Sequence, residues 1–385
     1  MATVPRQPLG ARSLADALAA AAAAGAPVIL EGAALPLWLS PINLEPTVPT
    51  LHGVYVADNP RFGPYFDARR PLGRAAASVR PRHAYVEANT SSAAFFATAA
   101  PPHRYYSAEL DRDLPARLQE MLEPLVASLV SLYPQHSSAN LWLGRAGVVA
   151  PCHYDGYHNA FAHLHGRKRL RLAPPSAAAL VQPFPFLHPS HGQCQAHTLP
   201  PEASIDADLH PGDILYLPPL WFHEATALSD AVVSINGWSD CEEARVAAEL
   251  FALPRPKRAA AAVATRLTAL LRALSDRTLG DAAALGRRVW TERYAPLVAI
   301  AELPAPPLSP PLDCAAAPPD DERAEYARAA AASAARLPEA TRGVWVGNLA
   351  EALAAEAVGA ANVAAYFQAL AACEAPRDAG QRDEL

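Results

Sequence analysis

Six short apolar segments between residues 139 and 238 constrain the fold of this chain more than any other feature. They occupy residues 139–143, 151–155, 159–164, 168–173, 213–217 and 231–238, and clusters of Gly, Pro and Ser separate them. Short strands with such turns are typical of a β-sandwich or barrel, whereas α/β folds alternate strands with helices. The central region is therefore predicted to be mainly β.

Helical patterns flank this region. Ser13 is a predicted N-cap for a helix that ends at Gly25, and the strand Pro27-Val28-Ile29-Leu30 follows it. Leucines at helical spacing predict one amphipathic helix from Asp111 to Leu129. From Asp240 onward the sequence is typical of alanine-rich helices.

These patterns predict three regions. Residues 1–110 supply α/β elements that flank a barrel, residues 111–240 form the β domain, and residues 241–385 form a C-terminal helical region. The leucine stripes of the last region exceed what one small helical layer can bury, so we expect them to support a homodimer.

Composition bounds the partners of the chain. A net charge of −6 argues against a general affinity for nucleic acid or acidic membranes. No stretch approaches eighteen uninterrupted, strongly apolar residues, so no membrane span is predicted.

The number and spacing of the cysteines indicate the redox state of the cellular compartment. The five of them form no C-x-x-C pair, which fits a reducing compartment better than a disulfide framework. We therefore expect a cytoplasmic or nuclear protein. The tail Arg382-Asp383-Glu384-Leu385 resembles an ER-retention signal and keeps the ER lumen as an alternative.

Three residues have the chemistry of a metal site. His153 and Asp155 lie two residues apart on a predicted strand, so their side chains project from the same face. His223 follows a Pro-Gly turn, a buried strand and a Pro-Pro bend, which present it at the rim. Two His and one carboxylate form the facial triad of non-haem Fe(II) oxygenases, whereas structural zinc needs a fourth protein ligand. An isolated H-x-D occurs often by chance, so the prediction depends on the neighbouring register.

That register places a lysine inside the barrel. At period two from Asp155, the residues that point inward are Tyr157, Asn159, Phe161 and His163. After the turn at Gly166, Lys168 shares the apolar face of the next strand, while Arg169 and Arg171 take the other face. A buried lysine is costly without an anionic partner, and the distal carboxylate of 2-oxoglutarate would supply one.

The last strand adds two more candidates, because Asn236 and Trp238 share one of its faces. Asn236 can donate a hydrogen bond to a bound ketoacid. An apolar funnel that would receive the substrate is expected to be lined by Leu141, Leu143, Tyr157, Phe161 and Trp238.

Other histidines are set aside as ligands. We expect a second-sphere or core role for His163, positions facing solvent or neighbouring loops for His158 and His165, and a surface loop for His188, His191 and His197.

These segments resemble the Jumonji-C proteins, specifically their cupin-like hydroxylase branch. The resemblance spans residues 140–238. It is carried by His153-x-Asp155, Asn159, Gly166-Arg167-Lys168, Gly212-Asp213-Ile214-Leu215-Tyr216-Leu217-Pro218, Trp221-x-His223 and Asn236-x-Trp238.

The resemblance implies a double-stranded β-helix, the jelly-roll of cupin-type barrels. It implies iron on His153, Asp155 and His223, with 2-oxoglutarate held by Lys168. Asn159, Asn236, Tyr157 and Trp238 would line the cosubstrate pocket. One departure is Ala150, where the family often has Thr or Ser. Either Tyr157 or another hydroxyl substitutes, or cosubstrate binding is weaker.

The implied activity is that of an Fe(II)- and 2-oxoglutarate-dependent dioxygenase, which uses dioxygen and releases succinate and CO2. Hydroxylation of a protein or peptide side chain is the first expectation. A lysine demethylase or a tRNA-base hydroxylase would use the same site, although the acidic net charge disfavours RNA. A non-catalytic cupin that serves as a binding module is the alternative of another class.

Overall fold

The strand region folds into two sheets of one compact unit, and the C-terminal helices belong to a second unit. The computed structural model describes residues 2–63, 86–97, 100–196, 198–256, 262–301, 308–315 and 318–374. The first unit contains the described residues up to 181 and those from 192 to 245, and the second contains residues 182–191 and those from 246 onward. The tail at Arg382 and the side chain of His197 lie outside the described residues.

All the strands that the structure describes lie in the first unit. They are β1 (Ala2–Thr3), β2 (Arg6–Pro8), β3 (Val28–Glu31), β4 (Thr50–Ala57), β5 (Val86–Ser91), β6 (His103–Glu109), β7 (Ser137–Gly144), β8 (Val149–His153), β9 (His158–His165), β10 (Lys168–Ala173), β11 (Ile205–Leu209), β12 (Ile214–Leu217), β13 (Phe222–Ala227) and β14 (Val232–Ser239). The helices of this unit are α1 (Leu14–Ala24), α2 (Pro41–Leu44), α3 (Ser92–Ala97), α4 (Leu110–Asp113), α5 (Ala116–Leu129) and α6 (Ala178–Val181), and α7 (Glu242–Ala252) begins in it.

The eight strands from β7 to β14 form a double-stranded β-helix. In one sheet β12, β9, β14 and β7 are neighbours, and in the other β11, β10, β13 and β8 are neighbours. The remaining strands extend these sheets to nine and five among the described residues. The jelly-roll expected from the strand spacing and from the resemblance is confirmed.

Side-chain alternation assigns the two faces of β9. Phe161 packs between the sheets with Leu170, Leu172 and Leu215. Ala160, Ala162 and Leu164 face the opposite side and join a second core under α1 and α5. The turn before β10 requires Gly166, because its φ is +79° and a Cβ there would lie 2.1 Å from the carbonyl oxygen of Ala231.

The flanking helices differ from the prediction at one point. Ser13 caps α1 by accepting from the backbone N–H of Asp16 at 3.1 Å, and Gly25 ends it, as expected. The predicted helix Asp111–Leu129 is instead two helices, α4 and α5, with an extended Leu114 between them. Pro115 explains the break, because a proline disfavours the helical conformation of the residue before it.

The second unit is helical and has its own core. Its helices are α8 (Val263–Leu279), α9 (Ala284–Val289), a π-helical turn (Trp290–Tyr294), α10 (Ala295–Ala301), α11 (Asp321–Ala334), α12 (Glu339–Val358) and α13 (Val363–Glu374), and α7 contributes most of its residues. At the centre, Arg293 and Glu351 form a buried ion pair of 2.6 Å. Among the described residues, no helix combines the length and the apolar character needed to cross a membrane.

The leucine stripes of this unit are buried, so they do not form the exposed surface on which the expected homodimer was based. Leu267, Leu270, Leu271, Leu274 and Leu349 are all buried against helices of the same unit. The unit is larger than the single helical layer assumed from the sequence, so it buries these side chains itself.

Four cysteines form disulfides, contrary to the expectation from their spacing. Cys152 pairs with Cys194 and Cys314 with Cys373, while Cys241 is a buried free thiol. The partners are 42 and 59 residues apart, so the fold brings them together and no local motif reveals the pairing.

Candidate metal centre

Two histidines meet across neighbouring strands. His153 is the last residue of β8 and is the register partner of His223 on β13. Their ring centroids are 4.0 Å apart. The register of the two strands shifts immediately after this pair, between His223 and Ala225. Such a bulge re-aims side chains and is common beside active sites.

Both rings have their tautomer fixed by the backbone. His153 Nδ1 lies 2.7 Å from the carbonyl oxygen of Pro151, and His223 Nδ1 lies 3.0 Å from that of Trp221. Because a carbonyl oxygen can only accept, each Nδ1 carries the proton and donates. Each Nε2 therefore keeps its lone pair for a metal, as second-sphere carbonyls commonly arrange.

The third member is Asp155, which follows β8. Its backbone oxygen accepts from the N–H of Leu220 at 2.7 Å, so the Pro-Pro bend holds this segment. Leu220 has a φ of +63°, a costly conformation for a leucine that the fold maintains here. Asp155 Oδ2 lies 3.6 Å from His223 Nε2, and the ligand atoms of His153, Asp155 and His223 all lie within 4.8 Å of one another. The predicted triad is assembled.

Electrostatics favour a neutral His223. Burial, together with a smaller effect of the neighbouring His153, lowers its pKa to about 4, although Asp155 opposes the shift. Only a neutral imidazole offers a lone pair to a metal, so the site is ready for a cation near neutral pH. Two imidazoles and one carboxylate leave coordination positions open, which fits Fe(II) and does not complete a structural zinc site.

Lys168 lies farther along the same sheet. Its Cα pairs with Ala227, four residues beyond His223, which is about 13 Å along the strand. The side chain is 6% exposed, and burial lowers its pKa to about 7. Among the described residues no carboxylate forms an ion pair with it, whereas Arg169 and Arg171 bond Asp208 and Asp206 on the outer face. A buried cation without an anion indicates a ligand carboxylate.

The cavity beside Lys168 contains residues that the sequence did not single out. Its lining includes Tyr105 and Ala150, with small apolar side chains of β13 and β14. Tyr105 lies on β6, more than sixty residues before Lys168, and no strand was predicted there. Its phenol stacks on Trp142 with ring centroids 5.8 Å apart. Tyr105 can therefore supply a hydroxyl in the cavity that Ala150 also lines.

The other predicted pocket residues divide into two groups. Asn159, Asn236 and Trp238 lie beside Asp155 in one hydrogen-bonded cluster. Tyr157 is 50% exposed and precedes β9, because the chain bends between β8 and β9 and the strand alternation is interrupted there.

The predicted funnel needs a correction. Leu141 and Leu143 face the core under α5 and not the barrel interior. Trp142, between them in sequence, faces inward and packs edge-on against Trp238 with centroids 6.0 Å apart. The alternation of β7 was available in the sequence, but only the pairing with β14 assigns its two faces.

The remaining histidines have structural contacts. His163 is buried and its ring nitrogens bond Ser234 and the carbonyl of Gly166, which agrees with a core role. His158 does not face only solvent or loops, because its Nδ1 bonds the hydroxyl of Tyr216, on β12, at 2.8 Å. His188 is 1% exposed and stacks on Phe184, so the expectation of a surface position was wrong for it.

Comparison with known proteins agrees with this architecture. Residues 76–243 match the family described as the cupin-like domain. The HSPB1-associated protein 1 homolog of Danio rerio is 28% identical over 170 residues, which cover 38% of this chain and 35% of that protein. A lysine-specific demethylase of Arabidopsis thaliana is 31% identical over 116 residues, covering 26% of this chain and 21% of the relative.

A third relative is the tRNA wybutosine-synthesizing protein 4 of Gibberella zeae, 28% identical over 130 residues that cover 33% of this chain and 12% of that protein. The matches therefore cover between 12% and 35% of the length of these relatives.

Proposed function

Because this chain belongs to the Jumonji-C type of cupin-like proteins, we propose that it is an Fe(II)- and 2-oxoglutarate-dependent oxygenase. One observation carries the proposal: a His-Asp-His triad with free Nε2 atoms shares a barrel with a buried lysine that has no carboxylate partner among the described residues. The distance of about 13 Å along β13 between the two suits a five-carbon diacid that extends from the triad towards the lysine side chain.

The chemistry divides between the bound groups and the protein. Iron, when bound, supplies the redox chemistry that couples oxidative decarboxylation of 2-oxoglutarate to oxidation of a substrate C–H bond. Dioxygen contributes one oxygen atom to succinate and one to the hydroxylated product, and CO2 is released. His153, Asp155 and His223 hold the metal, and Lys168 pairs with the distal carboxylate of the cosubstrate. His223 and Lys168 are buried, whereas His153 and Asp155 are partly exposed, so access of water is limited on the side of His223 and Lys168.

We propose a protein side chain as the substrate. The net charge of −6 opposes binding of a polyanion, and an extended peptide could be recognised through main-chain hydrogen bonds and side-chain pockets. Similarity to a protein named for its association with HSPB1 also supports a protein partner.

A lysine demethylase is the second candidate, because one relative carries that name. The same oxidation at an N-methyl carbon would release the methyl group as formaldehyde. A tRNA-base hydroxylase is the third candidate, because another relative is named for wybutosine synthesis.

The test uses the full chain loaded anaerobically with Fe(II). The protein is incubated in air with 2-oxoglutarate and, separately, a peptide library, methyl-lysine peptides or total tRNA. Mass spectrometry would report a gain of one oxygen or the loss of a methyl group, while succinate is measured in parallel. We expect oxygen in a peptide. An Asp155→Ala variant is the matched control.

The outcomes are distinct. Succinate formation no greater than in Asp155→Ala would overturn the oxygenase proposal and favour a binding module. Product in methyl-lysine peptides or tRNA alone would retain the oxygenase and replace the substrate.

A further inference from the structure

We infer that the disulfide between Cys152 and Cys194 is a redox switch of the metal centre, because it fastens the end of the strand that carries His153. In the oxidised protein the bond holds this strand end in place, and reduction by a dithiol releases it and weakens metal binding. The inference rests on the proposed function, since it concerns the same triad. Neither cysteine takes part in the proposed oxygenase chemistry.

The two sulfur atoms lie on the opposite side of β8 from the metal ligands. Cys152 directly precedes His153 in the strand, so their side chains point to opposite faces. Cys152 and Cys194 are 1% and 8% exposed, and both pack in one apolar cluster with Phe222, which directly precedes the ligand His223. The disulfide therefore lies behind the two ligand histidines and can affect them only through the backbone.

A short segment covers the edge of the smaller sheet beside His153. Among the described strands, β8 is the last of the five-stranded sheet. The edge segment, residues 192–194, lies antiparallel to the end of β8, with Gln193 opposite His153. The other side of β8 pairs with β13, where His223 is the partner of His153. The backbone of His153 is therefore held between the edge segment and the strand of the second histidine ligand.

Two backbone hydrogen bonds and the disulfide attach the edge segment to β8. The N–H of Tyr154 donates to the carbonyl oxygen of Gly192 at 2.8 Å, and the N–H of Cys194 donates to that of Cys152 at 3.0 Å. Water can replace backbone hydrogen bonds of this kind at small net cost, whereas the disulfide is covalent. Reduction therefore allows the edge segment to separate from β8.

Reduction should lower metal affinity, because a mobile ligand must be ordered again when the metal binds. The end of β8 supplies His153 and leads directly to Asp155, so its movement affects two of the three ligands. The entropy cost of this ordering is subtracted from the free energy of binding. Groups that orient metal ligands commonly contribute about 10- to 100-fold to affinity. By linkage, the bound metal must oppose reduction of the disulfide by the same factor.

Reduction proceeds by thiol–disulfide exchange with a small dithiol or a dithiol protein. A thiolate of the reductant attacks Sγ of Cys194, the more exposed of the two cysteines, and the S–S bond breaks. The electron pair passes to Sγ of Cys152, which takes up a proton. The second thiol of the reductant then displaces Cys194 from the mixed disulfide. The protein gains two electrons and two protons as two thiols, and the reductant leaves as its own disulfide.

Binding of Mn(II) to the full chain tests the switch without turnover, with electron paramagnetic resonance counting free and bound metal. The wild-type protein is measured oxidised, and again after reduction with dithiothreitol that is removed anaerobically before Mn(II) is added. The Cys152→Ser/Cys194→Ser variant represents the permanently open state. The matched control is Cys314→Ser/Cys373→Ser, which removes the disulfide of the second unit and keeps the first. Thermal unfolding checks that each form is folded at the temperature of measurement.

We expect the reduced wild type and the Cys152→Ser/Cys194→Ser variant to bind Mn(II) about tenfold or more weakly than the oxidised wild type. The oxidised Cys314→Ser/Cys373→Ser control should bind Mn(II) as the oxidised wild type does. Reduction of this control should weaken its Mn(II) binding by the same factor as in the wild type, because its remaining disulfide is the one beside His153.

The redox equilibrium of the wild-type protein gives a second readout that needs no variant. The protein is equilibrated with mixtures of reduced and oxidised dithiothreitol, with and without saturating Mn(II). Free thiols are then alkylated, and mass spectrometry measures each cysteine pair separately. We expect Mn(II) to shift the Cys152–Cys194 pair towards the disulfide by about tenfold and to leave the Cys314–Cys373 pair unchanged. A disulfide that only stabilises the fold would not respond to Mn(II) while the protein stays folded.

Equal Mn(II) affinity of the oxidised and reduced wild type, or tighter binding after reduction, would overturn the switch and retain the metal centre. An equal effect of Mn(II) on both disulfides would also overturn it. So would unfolding of the first unit on reduction, because the bond would then be structural only, and so would free thiols at Cys152 and Cys194 without reductant. If neither form binds Mn(II), the proposed function fails, and the switch fails with it.

Discussion

The Nζ atom of Lys168 lies 4.6 Å from the centre of the Phe161 ring. The ring face offers the ammonium group partial compensation for lost water. This contact is weaker than an ion pair, and burial still lowers the Lys168 pKa to about 7. The protonated form of Lys168 is therefore only partly stabilised in the free protein, and a carboxylate that binds beside it would stabilise this form.

Replacing Lys168 by Met should abolish most cosubstrate affinity and preserve metal binding. A charge-assisted hydrogen bond is worth about 1.5–3 kcal/mol, so the Kd for 2-oxoglutarate should rise by about ten- to a hundred-fold. Calorimetry on Mn(II)-loaded protein measures it. Since the substitution also removes a buried cation, the metal-free variant should be at least as stable as wild type.

Arg169→Met is the matched control, because Arg169 is the next residue and bonds Asp208 on the outer face. Its cosubstrate affinity should equal that of wild type. Unchanged affinity in Lys168→Met would show that another cation binds the distal carboxylate.

Cosubstrate binding should weaken as the pH rises. In the free protein Lys168 loses its proton near pH 7, whereas the bound carboxylate stabilises the protonated form. Binding at higher pH must then take up a proton, so Kd should increase by about tenfold per unit between about pH 7 and pH 9. Calorimetry in buffers of different ionisation enthalpy measures the uptake. A Kd that stays constant over this range would contradict a lysine with a lowered pKa.

Tyr105→Phe should weaken 2-oxoglutarate binding without affecting metal. Tyr105, Lys168 and Ala150 line one cavity, so the phenol can provide the hydroxyl that is missing at Ala150. Loss of one hydrogen bond to a charged group predicts a rise in Kd of about tenfold. In the Tyr105→Phe background, Ala150→Thr should restore part of the affinity. No change in either variant would exclude Tyr105 from the cosubstrate site.

Replacing one ligand of the triad should abolish metal binding. His223→Ala or Asp155→Ala leaves two ligands, and we expect Fe(II) occupancy by elemental analysis to fall from one per chain to near zero. His165→Ala, a histidine on β9 outside the triad, should retain full occupancy. Full iron in either triad variant would show that the ligand set is wrong.

The sequence predicted what local periodicity controls. Alternation along β9 and β10 placed Phe161 and Lys168 on the inner face, and the His-x-Asp spacing placed two ligands together. It did not predict features that depend on distant pairing. Tyr105 reaches the Lys168 cavity only because β6 extends the sheet beside β7. Alternation also failed at Tyr157, because it was continued through a bend where no strand exists.

The disulfides predict a specific thiol count and a dependence of stability on reductant. When the protein is denatured without reductant, one thiol per chain should be titrated, that of Cys241, and five should be titrated after reduction.

The Cys152–Cys194 bond closes a loop of 42 residues, and chain entropy gives such a loop about 4 kcal/mol of stabilisation. Reductant should therefore lower the free energy of unfolding of the wild-type protein. A Cys152→Ser/Cys194→Ser variant should lose most of that stabilisation in the first unit without reductant, whereas Cys241→Ser should respond to reductant as wild type does. Titration of all five thiols without reductant would show that neither bond forms, which would agree with a protein of a reducing compartment.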